Sequence, residues 1–303
     1  MKIPPVFIDP LQPKQSNSSS VNKGGGSFDA LFSQLVSDSA PTNPLFTPPL
    51  SVPLSQFGQN VGINPVGGIT GISPPGRNMA LSDPESAYEM MSLINNCEVL
   101  FKAQFSELSR MRSSVSHMQQ AGQNLGGITV STDNDRIQTL LQSFVSEYNS
   151  WVQRFNPAMQ QGGVLAGTQA AQVSRYELEQ SISNRFFGAG AGLNGLGSLG
   201  ITIDPATGLA TLDVARLSSQ LSANKQGVVA TVQEFSANFV KSASLLNSSG
   251  NFIERQIDNL DRAIDFIRDN KTSLQAEFGT GDEAKPSGQV AQALAEYNRT
   301  FKT

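Results

Sequence analysis

Side chains able to do chemistry are sparse in this 303-residue chain, which has one cysteine, Cys97, and one histidine, His117. A lone thiol closes no intrachain disulfide and supplies no thiolate set for a metal. Cys97 also falls on an apolar helical stripe, where a small buried hydrophobe is expected rather than a nucleophile. His117 lies in a helical run with no positioned acid or base beside it, so a solvated or interfacial place is expected. Asp204 and Asp213 could be taken for a carboxylate pair. Turn duty in Asp204-Pro205-Ala206-Thr207-Gly208 and helix capping by Asp213 account for both. Gly190, Gly192 and Gly195 spell a literal G-x-G-x-x-G. A dinucleotide site needs a strand before that motif and a helix after it. Here a helix precedes and a strand follows, so the run reads as a hinge. With no metal-ligand spacing and no phosphate loop, the expectation is a protein that is not an enzyme and holds no cofactor or metal.

Composition narrows the remaining classes. Only 38% of the residues are hydrophobic and 7% aromatic, a thin supply for one large globular core. The net charge of −4, without a Lys/Arg cluster, points away from nucleic acid. No run is long and apolar enough to span a bilayer, and the opening MKIPPVFIDP has no signal-peptide core. The expected location is cytoplasmic, or extracellular by a route other than general secretion.

The elements that could position a function are helical. In Phe252–Phe278, apolar residues fall at Ile253, Ile257, Leu260, Ile264, Ile267, Leu274 and Phe278. The steps are four, three, four, three, seven across Lys271, and four, which is a heptad seam. Such a rod is about 40 Å long, and its seam must find a partner helix in cis or in trans. These seven residues are the candidate partner-binding surface. A second seam runs from Pro84 to Ala121 through Ala87, Met90, Ile94, Cys97, Phe101, Leu108, Met111, Val115 and Met118, with Ser82 or Asp83 as N-cap. Two seams of this kind predict self-association.

Between them the pattern predicts a glycine-bearing break over 122–134, then a helix from Ile137 to about Pro157 with Trp151 as an anchor. A helix from about Gln169 to Phe186 comes next, then a hairpin over Leu199–Asp213. Helices then follow from Asp213 and from Gln226 to about Asn247, before the rod. The predicted fold is mainly α: long antiparallel helices with coiled-coil packing and one small β-hairpin. Residues 84–278 form the helical domain, and 279–303 a linker and a short amphipathic helix.

Ahead of it, residues 1–83 read as a disordered Pro/Ser/Gly-rich arm, since residues 1–84 hold 13 of the 16 prolines. One island interrupts the arm, with Phe28, Leu31, Phe32, Leu35 and Val36 on a single helical face. It either docks on this protein's own body or is a linear motif read by another protein.

The series FVSEYNSW, G-G-x-L-x-G, a Gly-rich hinge, LGITIDPATGLATLD, a short helix and the heptad rod resembles the C-terminal region of the flagellar filament cap protein, the hook-associated protein 2 family. Leu199, Gly200, Ile201, Thr202, Leu212, Asp213, Leu217, Leu221 and Asn224 carry the resemblance, which covers about residues 137–278. It implies a structural flagellar protein, exported and assembled at the hook or filament end. The implied partners are further copies of itself, flagellin or hook-associated proteins, and the flagellar export apparatus. The alternative is a cytoplasmic adaptor or regulator of flagellar assembly. Phe28-x-x-x-Phe32 is similar to the hydrophobic gate-recognition element of early flagellar export substrates. The family's large β-rich outer domains have no counterpart in the short stretch at 122–134, so the rod-and-hairpin domain alone is implied.

Overall fold

Asp83 starts the longest element. Its carboxylate accepts from the Ser86 N–H and from Ser86 Oγ, and Pro84 occupies the first turn, where a missing N–H costs nothing. Helix α1 then runs Pro84–Gly126 in this computed structural model, which describes residues 75–185 and 193–301. It is followed by α2 (Asn134–Met159), α3 (Gln169–Ser183), a 3-10 turn at Leu196–Leu199, strands β1 (Ile201–Ile203) and β2 (Ala210–Leu212), α4 (Val214–Leu246), α5 (Phe252–Phe278) and α6 (Gly288–Phe301). The strands form a two-stranded antiparallel sheet with Ile201 opposite Leu212 and Ile203 opposite Ala210.

Cross-links give the direction of each helix against α1. Gln233 on α4 donates to Ile128 O, Ser236 to Gly122 O, and Asn247 beyond its end to Arg112 O. On α5, Glu254 pairs with Arg112 and Lys271 with Glu98. In both series the α1 numbers fall as the partner numbers rise, so both helices run antiparallel to α1. The C-terminal half of α4 and all of α5 therefore form one long partner along α1, interrupted only at the Asn247–Asn251 turn. The short connection from Gly126 to Asn134 together with the Arg154–Glu107 pair places α2 antiparallel to α1 as well.

A core lies between these helices. Phe144 of α2 meets Phe235 and Phe239 of α4 edge-on at 5.1 and 4.9 Å, all fully buried. Trp151 packs on Phe155, as an anchor in that face should.

Several boundaries differ from the sequence expectations. Helix α1 does not break at Gly122. A Cβ there would stand 2.7 Å from Phe239 Cδ1, so the glycine is the space that lets α1 and α4 approach, and the helix continues to Gly126. In α1, Met91 rather than Met90 is fully buried. Helix α3 stops at Ser183, not Phe186. The two predicted helices after Asp213 are joined through Asn224, whose backbone (φ −154°, ψ 68°) is not helical and whose Oδ1 accepts from the Gly227 N–H to restart the helix.

Residues 75–83 are not part of a free arm, nor is 279–282 a free linker. Asn78 Nδ2 donates to Ala276 O and Glu277 O at the end of α5, and Thr280 N–H to Gly76 O. Asn95 donates to Thr280 O and Asp282 O, while Tyr88 donates to Asp282 Oδ1. Gly281 (φ +63°) passes so close that a Cβ would lie 2.5 Å from Ser92 N. Helix α6 also rests on α1, with Ala293 buried, Tyr297 and Phe301 edge-on to Phe105, and Glu296 paired with Arg110.

Truncating the shared ring tests the α1–α2–α4 core. Phe239→Ala lowers stability by about 3–5 kcal/mol in urea unfolding. Gly122→Val, which forces a branched side chain against the same ring, lowers it by about 1–3 kcal/mol.

Candidate functional site

Among the described residues, none of the chemically suggestive side chains is placed in a catalytic set. Cys97 is buried on α1, and burial pushes its thiol up to about 11, far from a reactive thiolate. His117 is exposed on α1. Asp204 closes the hairpin turn, its Oδ1 accepting from the Thr207 and Ala206 N–H groups, and those bonds hold its carboxyl below the usual range. Asp213 caps α4 by accepting from the Arg216 N–H, at the opposite end of the hairpin from the turn. Of the glycine motif, Gly190 and Gly192 lie outside the described residues. Gly195 (φ +78°) caps the 3-10 turn, and a Cβ on it would meet Asn184 O at 2.4 Å. Among the described residues no cluster of His, Cys, Asp and Glu could hold a metal ion, and no helix is long and apolar enough to cross a membrane. The candidate export motif of Phe28, Leu31, Phe32 and Leu35 also lies outside the described residues.

The heptad seam is accounted for within the chain. Ile253, Ile257, Leu260, Ile264, Ile267 and Leu274 are all buried, and Phe278 is half-buried beside Met91 and Ile94 of α1. Of the two places where the seam could find its partner, in cis or in trans, this structure shows the first. Since α1 runs antiparallel beside α5 for its whole length, the apolar stripe closes in cis. Lys271, which interrupts the stripe, reaches Glu98 Oε2 at 3.0 Å, and Lys102 holds the other oxygen of Glu98 at 2.5 Å. Burial pushes the Glu98 carboxyl up, but the two lysines outweigh it and hold it below its ordinary value.

With the seam closed, the hairpin and the face of α2 that carries it form the built surface feature. Tyr148 OH donates to Gly208 O at 3.0 Å, and its burial pushes the phenol up to about 12. Next to it, Asn149 donates to Ala210 O and accepts from the Ala210 N–H, both at 2.8 Å. Thr202 and Thr211 face each other across the strands, and Gly200 (φ +95°) turns the chain into β1 where a Cβ would strike Asp213 O. Beside β2, α2 walls an open groove of about 550 Å3. The sequence singles out neither Tyr148 nor Asn149 as a support for the hairpin. The signal was a polar-tipped aromatic followed by an amide, one turn before Trp151, with a two-strand hairpin downstream that needed a support. Nor does the sequence single out the pair of Glu107 and Arg154, where burial pushes the Glu107 carboxyl up against the pull of Arg154.

A sequence profile of the family described as "Flagellar hook-associated protein 2 C-terminus" matches residues 108–283, more than half of the chain. Among curated proteins no match is found. Of solved structures, the chain is similar to the D1-D2-D3 domains of the flagellar cap protein from Escherichia coli, at 24% identity and a TM-score of 0.39. That likeness covers 42% of this chain and 37% of the other, so the chain spans well under half of the protein it matches.

Two measurements check the electrostatics of α1. The native Cys97 thiol stays unreactive toward a disulfide reagent at about pH 8 and reacts once the chain is unfolded in urea. For Glu98 the folded value lies below the ordinary 4.5. Its contribution is therefore present above 4.5 and is lost as pH falls through the lower folded value. Glu98→Gln costs about 1 kcal/mol at neutral pH, at the low end because Lys271 is 43% exposed. The variant's urea midpoint then falls less steeply than the parent's as pH drops below 4.5.

Proposed function

The chain belongs to the flagellar hook-associated protein 2 C-terminal family, and from that membership we propose that it is a structural component of the bacterial flagellum, cap-like or hook-associated, assembled on the filament outside the cell. The profile match carries this reading. It begins in the second half of α1, takes in α2, α3, the hairpin, α4 and α5, and ends beside the Asp282 contacts, leaving out the first half of α1 and α6 among the described elements.

In this reading flagellin-like or hook-associated proteins, and further copies of the chain, pack on the faces that the intramolecular seam leaves uncovered. The α2–β2 face is one of these. The seam itself serves as the internal brace that holds such faces rigid. Export relies on the arm ahead of residue 75, where Phe28, Leu31, Phe32 and Leu35 supply the apolar element recognised by the export gate.

Export of the intact chain and of a chain lacking residues 1–40 is compared in culture supernatant and in sheared filaments. The intact protein is expected in the filament fraction and the shortened one is retained in the cells. Equal export of both overturns the role given to the arm. Confinement of the intact protein to the cytosol overturns the flagellar placement.

A further inference from the structure

The outer edge of β2 is only half satisfied. Asp204 N–H donates to Leu209 O and Asp213 N–H to Gly200 O, so those positions bond across the hairpin. In an antiparallel ladder, such pairs alternate with pairs whose N–H and C=O point away from the partner strand. Given the pairing of Ile201 with Leu212 and Ile203 with Ala210, the outward positions on β2 are Ala210 and Leu212. Ala210 is taken, because the Asn149 side-chain amide bonds both its N–H and its C=O. That amide stands where the peptide group of a neighbouring strand would stand. Leu212 turns the same two groups to the same side, and no turn, loop, cap or side-chain bond among the described residues takes either.

The groove beside this edge has a consistent chemistry. Its α2 wall is formed by Gln142, Ser146, Asn149, Ser150 and Gln153, with Val145 on its floor, and none of its lining residues is charged. Gln142, Ser146 and Ser150 follow one another at steps of four, as do Asn149 and Gln153, so the wall is a continuous neutral ridge. The charged residues of α2, namely Asp135, Arg136, Glu147 and Arg154, lie off it. A charged ligand would lose hydration here without gaining a counter-charge. An uncharged extended chain finds the Leu212 donor and acceptor, plus amides and hydroxyls that can each donate or accept. A three-residue strand is too short to hold a partner by its backbone alone, and the ridge supplies the remaining bonds.

We propose that this groove receives an uncharged, extended peptide segment of a partner protein, which adds alongside β2 at Leu212 as a third strand. The side chains of that segment are small or β-branched and bear no charge, matching Val145 and the neutral ridge.

The test uses the full-length, isotope-labelled chain titrated with acetyl-Thr-Val-Thr-Val-Thr-amide and, separately, with acetyl-Lys-Val-Lys-Val-Lys-amide. The neutral peptide is expected to give saturable shifts of the Leu212 backbone amide and the Asn149 side-chain amide, with the lysine peptide at least tenfold weaker. A double variant, Ser146→Asp with Ser150→Asp, changes two exposed positions. It is expected to bind the neutral peptide at least tenfold more weakly and to prefer the lysine peptide. Gln142→Glu, also at an exposed position, gives the same readout should the double variant melt early. Absence of saturable shifts at millimolar neutral peptide, preference of the parent for the lysine peptide, or unchanged affinity in the charged variants overturns the proposal.

Discussion

Everything in this molecule depends on one demand: α1, 43 residues and about 65 Å of helix, carries an apolar face from end to end that no single neighbour of ordinary length can cover. The chain meets it by laying α4 and α5 nose to tail along α1, with the junction pinned at Arg112. There Asn247 reaches the Arg112 carbonyl and Glu254 the guanidinium. The hydrophobic effect sets the length of the contact, and these polar bonds set its register, since apolar surface alone would tolerate sliding by a turn. The other elements attach to this double rod. Helix α2 and the hairpin sit at its far end, and α6 lies over its middle.

Much of this order was legible in the residues. The heptad spacing from Ile253 onward predicted α5 with the ends that the structure has, and Asp83-Pro84 and Asp213 announced helix starts through plain capping chemistry. The hairpin followed from alternating strand residues around Asp204 to Gly208. What spacing could not convey was the partner. A seam has the same appearance whether it faces its own chain or another, and only the collinear arrangement of α4 and α5 decides for the former. Gly122 was misleading for a related reason. A glycine weakens a helix locally, but here the close approach of Phe239 outweighs that cost and the helix runs through.

The surface features were the least legible. Asn149 has nothing in its immediate neighbours to mark it, because its role is defined by a strand edge some sixty positions later in the chain. The pair of buried Glu107 and exposed Arg154 is similar: a carboxylate inside an apolar stripe reads as an error until the guanidinium from α2 is seen to reach it. The neutral ridge on α2 is an absence of charge, and an absence at steps of four is easily missed beside rows of leucine and phenylalanine.

The bonds from Asn78 to Ala276 and Glu277 join positions 198 and 199 residues apart. A ribosome adding about 5–20 residues per second takes roughly 10–40 s to travel between them. Throughout that interval α1 exists without the helix that covers its first half, and no native neighbour can substitute. The contact between the first half of α1 and α5 therefore forms late. Until then the domain's longest apolar stripe stands open to whichever chaperone or protease arrives first.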